Sequence, residues 1–117
     1  MKITENRTDL RNISEWDEIA LGRRYNIGMW GERRREYLKN HKNAMYSHYQ
    51  MNLTLLQHLE EIEQQAQQLY ETLIKQLAEK ENITEQLKAE NQMEWVARMN
   101  NIRQRATEIV YNDIIYK

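Results

Sequence analysis

Apolar positions recur at intervals of three and four over most of this chain, the period of an α-helix buried along one side. Trp30, Arg34, Leu38, His41, Met45 and His48 keep that spacing and predict a first long helix over about 32–49, with Glu32 in its first turn, where a negative charge suits the helix dipole. Leu55, Leu59, Ile62, Ala66, Leu69, Leu73 and Leu77 predict a second helix over about 55–80, a coiled-coil-like seam roughly 40 Å long at about 1.5 Å per residue. Trp95, Met99, Ile102, Ala106 and Ile109, widened by Val96 and Val110, predict a third over about 83–111, and Asn82 with Glu85 three positions on reads as its N-cap. The first half of this third helix is polar. Continuing the stripe through Leu87 and Asn91 puts Asn91 in the seam, where it either hydrogen-bonds across the hairpin or marks a wet end.

Residues 1–30 read as an N-terminal arm. Ser14 with Asp17 starts a short helix over 15–21 that buries Trp16, Ile19 and Ala20 before Gly22 stops it. Ile114, Ile115 and Tyr116 are too apolar for a free tail and are expected to dock on the body or on a second chain. The expected fold is all-α: a small helical bundle built on a long antiparallel hairpin and braced by the shorter first helix, with residues 31–117 as a three-helix domain. A brace that short leaves hairpin surface open, so a homodimer and a monomer both remain open.

Composition supports helix. Proline is absent and the three glycines, Gly22, Gly28 and Gly31, all precede the last 86 residues, which therefore lack the turn residues a sheet needs. Gly28 and Gly31 are expected to turn the chain sharply onto the body with Trp30 between them; the lysine and small residues of a phosphate-cradling loop are missing. Without cysteine there is no disulfide, thiolate nucleophile or Cys-ligated zinc. No apolar run reaches the length of a membrane span, so a cytoplasmic protein with no membrane partner is the expectation.

The net charge is −1, but its distribution is uneven. Residues 31–52 hold five basic and two acidic side chains, and residues 53–80 hold two basic and five acidic. Either neighbouring helices attract one another or the first displays a basic stripe. Arg35, Lys39 and Lys42 fall close together on the helix wheel, away from the apolar row, and are expected to point outward; Arg33 and Arg34 extend the cluster toward the helix start. Such a stripe neutralises phosphates of double-stranded DNA without reading sequence, and Asn40 and Asn43 beside it are the candidates for base or partner contact. Arg98, Arg103 and Arg105 form a second candidate phosphate surface with Asn100 and Asn101 nearby, although Glu94 and Glu108 are spaced to pair with Arg98 and Arg105 within the helix.

No catalytic constellation is visible. Ser47 and His48 are adjacent on a helix and do not face one another, and His41, His48 and His58 lack the inward carboxylates of a bundle metal site. No enzyme activity, metal or cofactor is expected, and the seven tyrosines and three tryptophans read as packing.

The strings IGMWGERRREYLKNH and EIEQQAQQLYETLIKQLAEKENITEQLKAENQMEWVARMNNIRQRATEIVYNDIIY resemble the transposon-encoded protein TnpV family, and the resemblance covers Ile27 to Tyr116. Gly28 to Arg35 is similar to the family's glycine-aromatic-glycine lead into an arginine-rich helix, and Asn91 to Arg103 to its most distinctive stretch. Where relatives tend to carry a threonine-serine-glycine-lysine turn between the first two long helices, this chain reads QMNLTLL without glycine, and its N-terminal segment lacks their proline-bearing character. The resemblance implies a small protein that accompanies recombinases on integrative and conjugative elements, with no settled set of catalytic or binding residues. The expectation is a non-enzymatic accessory protein contacting element DNA or the recombinase complex. The alternative is an inhibitor or adaptor that binds a host or element protein through the hairpin surface.

Overall fold

A computed structural model describes residues 25–117. The short helix expected at 15–21 and the rest of the arm before Tyr25 lie outside those residues. The fold is an all-α helical bundle. Its described elements are α1 (Met29–His41), α2 (Asn43–Met51), α3 (Leu55–Lys80), α4 (Glu85–Glu90), α5 (Gln92–Val110) and a π-helical turn, Tyr111–Ile115, with no strand among the described residues. Two compact units divide the chain at Gln64/Gln65, a boundary that falls inside α3.

In the first unit Leu38, Tyr46, Leu55 and Leu59 form a buried cluster, with Ile27 and Tyr49 packed against it. Each fully buried leucine contributes about 2 kcal/mol by transfer from water. The helix expected over 32–49 begins earlier, at Met29, and is two helices broken at Lys42, whose φ of −134° and ψ of 54° are not helical. The reason lies in the spacing: in one straight helix residues 38, 42 and 46 share a face, so burying both Leu38 and Tyr46 would drag the Lys42 ammonium inward. The break keeps Lys42 exposed and shifts the register of α2, so that Tyr46 and Tyr49 face the core while His41, Met45 and His48, expected on the inner side, are exposed.

The turn into α3 is a Schellman cap made without glycine. Thr54 N–H donates to the Tyr49 carbonyl at 2.9 Å and Leu53 N–H to that of Gln50 at 3.1 Å, and Leu53 takes a left-handed φ of 57°. A leucine there pays the steric cost of its Cβ against the carbonyl, about 1–2 kcal/mol.

In the second unit Ile83, Met99 and Ile102 form the buried cluster, with Ile74, Leu77 and Ala78 of α3, Leu87 of α4 and Trp95 of α5 against it. The same cap recurs at the end of α3: Ile83 N–H donates to the Ala78 carbonyl at 2.9 Å, Asn82 N–H to that of Glu79 at 3.3 Å, and Asn82 has φ 58°. Asn82 is thus the left-handed residue that ends α3, not the N-cap of the next helix, and asparagine tolerates that conformation. Thr84 is the N-cap, accepting from Leu87 N–H at 3.2 Å.

The single helix expected over 83–111 is also corrected. It breaks at Asn91, which is exposed and caps α5: its Oδ1 accepts from Glu94 N–H at 3.1 Å while its Nδ2 donates to Glu94 Oε1 at 3.3 Å. A straight helix from residue 83 would carry Arg105 about 33 Å from the turn. Instead Arg105 bonds Glu81 at 2.6 Å, so the chain reverses at Asn91 rather than running back as one hairpin arm. At the C-terminus Tyr116 N–H donates to the Tyr111 carbonyl at 2.8 Å, closing the π turn, and Ile115 is fully buried, so the apolar end docks on its own chain.

Replacing Leu53 by glycine should raise stability by about 0.5–1 kcal/mol, visible as a higher Tm, whereas Asn82→Ala at the matching position of the second cap should lower it by a similar amount. Thermal unfolding of both variants checks the assignment; a drop for Leu53→Gly would contradict it.

Candidate interaction surface

The start of α1 is built from glycine and a distant carboxylate. Gly28, at the N-cap, has no side chain to satisfy the first amides of the helix, and Glu63 of α3 does so instead: its Oε1 accepts from Gly28 N–H at 3.0 Å and from Gly31 N–H at 2.8 Å. Glu60, one turn earlier on α3, accepts from Asn26 N–H at 2.9 Å. The carboxylate sits where the helix dipole is positive. The approach leaves no room for a methyl group. A Cβ on Gly31 would lie 2.6 Å from Ile27 Cγ2 and 3.0 Å from the Leu59 carbonyl oxygen, and one on Gly28 would lie 2.8 Å from Glu63 Oε2. The glycine spacing therefore serves close helix approach, and Trp30 between the glycines is buried. The capping role of Glu63 is not visible in the sequence, because Glu63 lies more than thirty residues from the amides it accepts from.

One turn further on, Arg34 occupies a position on the inner row of α1 and is only 6% exposed. Its Nε–H donates to His58 Nε2 at 3.3 Å, its guanidinium lies 5.7 Å from the centre of the Tyr37 ring, and the His58 ring stacks on Tyr49 at 4.4 Å. Burial, and then the charge of Arg34, hold the His58 imidazolium form below its usual range, against a smaller opposite pull from Glu61. Burial likewise lowers the pKa of Arg34. Arg35 is 5% exposed and lies 3.2 Å from Glu32 within its own helix.

The expectation that Arg35 points outward, and that Arg34 extends a solvent stripe, is therefore corrected: both are buried, because α1 is embedded on a wider arc than the apolar row alone implies. Of the other cations on this helix, Arg33 and Lys42 are exposed, and Lys39, half-buried, lies 4.0 Å from Glu36. Asn40 and Asn43 are exposed and bonded locally, Asn40 to Glu36 and Asn43 to the Lys39 carbonyl, both at 3.4 Å. Glu60 and Glu63 of α3 accept from backbone amides at the start of α1.

In the second unit Arg98 pairs with Glu94 at 2.8 Å within α5, as its spacing predicts. Arg105 pairs with Glu81 rather than with Glu108, since the reversal at Asn91 brings the two together. Arg103 is exposed and donates to Asn100 at 3.1 Å, with Asn100 and Asn101 also in solvent. Among the described residues no three acidic or histidine side chains come together as a metal site, and no helix is long and apolar enough to cross a membrane.

Solvent meets apolar side chains instead. Met51 is 82% exposed, and Met45 and Leu53 are each 41% exposed, all in or beside α2. Ala44, Met45, His48 and Tyr49 line an open depression of about 390 Å³ on the same helix. In the second unit Met93 and Val96 are exposed near the start of α5. The period-based reading had placed Met45 in the core, so it missed this surface.

The family model described as Transposon-encoded protein TnpV matches residues 17–115 of the chain. No curated protein and no solved structure matches it.

Gly31→Ala should destabilise the protein by about 1–3 kcal/mol through overpacking, although alanine is the better helix former by about 1 kcal/mol. A denaturation midpoint at or above that of the parent would show that the approach is not tight. Burial of His58, reinforced by the charge of Arg34, sets the sign of a pH effect. His58 has a folded pKa below its unfolded value of 6.5, so its contribution is complete above that value and is lost as pH falls through the lowered folded pKa. Stability should therefore decline from pH 7 toward pH 5, and His58→Gln should flatten the decline over that interval in urea titrations.

Proposed function

We propose, for a chain that belongs to the TnpV family of transposon-encoded proteins, the role of a non-enzymatic accessory protein that binds another protein, a component of its element's recombinase complex or of the host. The observation that carries this reading is the contrast between cations and apolar groups. Arg34 and Arg35 are buried and Arg35, Lys39, Arg98 and Arg105 each lie within 4.0 Å of a carboxylate, while Met45, Met51 and Leu53 face solvent. A cation that is buried or already beside a carboxylate is less available to displace counterions from DNA, and near-neutral net charge gives little steering toward a polyanion. Exposed methionine and leucine, by contrast, gain by being covered. Ser47 is exposed beside a His48 that bonds Asn52 at 3.0 Å, which supports the non-enzymatic part of the reading.

Contact with double-stranded DNA is the second reading. It keeps Arg33, Lys42 and Arg103, with Asn40, Asn43, Asn100 and Asn101, and the exposure of these side chains favours it. A co-elution and a duplex titration separate the readings. Nuclease-treated protein should co-elute with the recombinase of its own element or with a host component, while affinity for a duplex carrying the element end should stay weak. Tight duplex binding that falls tenfold or more between about 50 and 200 mM salt, and that is abolished by Arg33→Glu with Lys42→Glu, would overturn the protein-binding reading in favour of DNA.

A further inference from the structure

The face of α2 turned away from its core combines three properties that the protein-binding reading leaves unassigned. It is largely apolar: Ala44, Met45 and His48 line the depression, which the core-packed Tyr49 borders, and Met51 stands three residues from His48 and seven from Ala44, on the same side of the helix. It is free of acid: from Tyr37 to Leu59 there is no aspartate or glutamate, while Lys39, His41, Lys42, His48 and His58 fall in that stretch. The acids that flank the stretch are occupied, Glu36 beside Lys39 at 4.0 Å and Glu60 on the Asn26 amide at 2.9 Å, and Glu61 accepts from Gln57 at 3.5 Å. The surface also ends in a strained residue. Leu53 holds a left-handed backbone and remains 41% exposed, at a position that Asn82 fills in the matching cap.

These properties select the chemistry of the occupant. Methionines give a floor that adapts to the shape of an apolar side chain. A stretch of chain without aspartate or glutamate that exposes Lys42 and His41 favours carboxylates over cations. Phosphates would satisfy the rim and leave Met45, Met51 and Leu53 uncovered. We infer that α2 and the Met51–Leu53 turn dock an acidic amphipathic helix of a partner protein, apolar residues in the depression and carboxylates toward Lys42 and the histidines. This deepens the protein-binding reading and rests on it.

The test uses the full chain with ¹³C-methyl methionine and an 18-residue probe peptide, leucine and tryptophan on one face and glutamate on the other. A scrambled peptide of the same composition, a lysine-for-glutamate version and a DNA duplex serve as competitors. Saturable binding is expected, with the Met45 and Met51 methyl signals shifting and that of Met93, in the other unit, unmoved. Met45→Ser with Met51→Ser should weaken binding tenfold or more. Lys42→Glu should weaken it severalfold and improve the lysine peptide. Leu53→Gly should weaken binding while raising Tm, a combination that a purely structural role does not produce. Equal binding of the scrambled peptide, displacement by duplex, a Met93 shift as large as that of Met45, or full affinity in the double variant would each overturn the docking surface. The two readings fail separately: a complex with the recombinase that survives Met45→Ser with Met51→Ser removes this surface and leaves the protein-binding role standing.

Discussion

The first unit depends on a carboxylate from one helix completing the start of another. Glu63 supplies the acceptor that Gly28 lacks, and it can reach the Gly28 and Gly31 amides because neither residue carries a Cβ. Shortening the distance between α1 and the Leu59 turn of α3 in this way buries Trp30 and brings the following turn of α1 against His58. Arg34 is then inside whether or not a guanidinium suits that place. There its Nε–H donates to the His58 imidazole and its guanidinium lies over the Tyr37 ring.

This constraint reorganises the charge pattern of the sequence. A basic helix beside an acidic one suggests interhelical salt bridges or a stripe left for phosphates. Arg34 and Arg35 are buried rather than displayed in a solvent stripe. The acids of α3 that face α1 bond to main-chain amides, and Arg35 turns back to Glu32 on its own helix. Surface ion pairs such as Arg98–Glu94 contribute about 0–1 kcal/mol each, so their effect on the exposed potential matters more than their effect on stability.

Two helix ends adopt the same hydrogen-bonded cap with different residues in the left-handed position. Asn82 suits that position, and Ile83 just after it is buried in the core of the second unit, with the partly buried Ala78 packed against that core. Leu53 does not suit it and is partly exposed. The contrast separates a turn shaped by the fold from one that carries a side chain outward at a cost to the fold.

Periodicity was enough to determine that the chain is helical and where its long central helix runs, since a repeat of three and four with no proline has no other low-energy reading; α3 spans Leu55–Lys80 as that repeat requires. Likeness of residue strings identified the family. The breaks at Lys42 and Asn91 were not legible, because neither is marked by proline or glycine and each is selected by what must be buried or capped, Tyr46 in one case and the α5 amides in the other. The fate of the arginines was equally hidden: a helical wheel gives directions relative to an apolar row, whereas burial of Arg34 and Arg35 depends on how closely α3 approaches. That distance comes from Gly31, Leu59 and Glu63, which lie far apart in sequence and meet only in the folded chain.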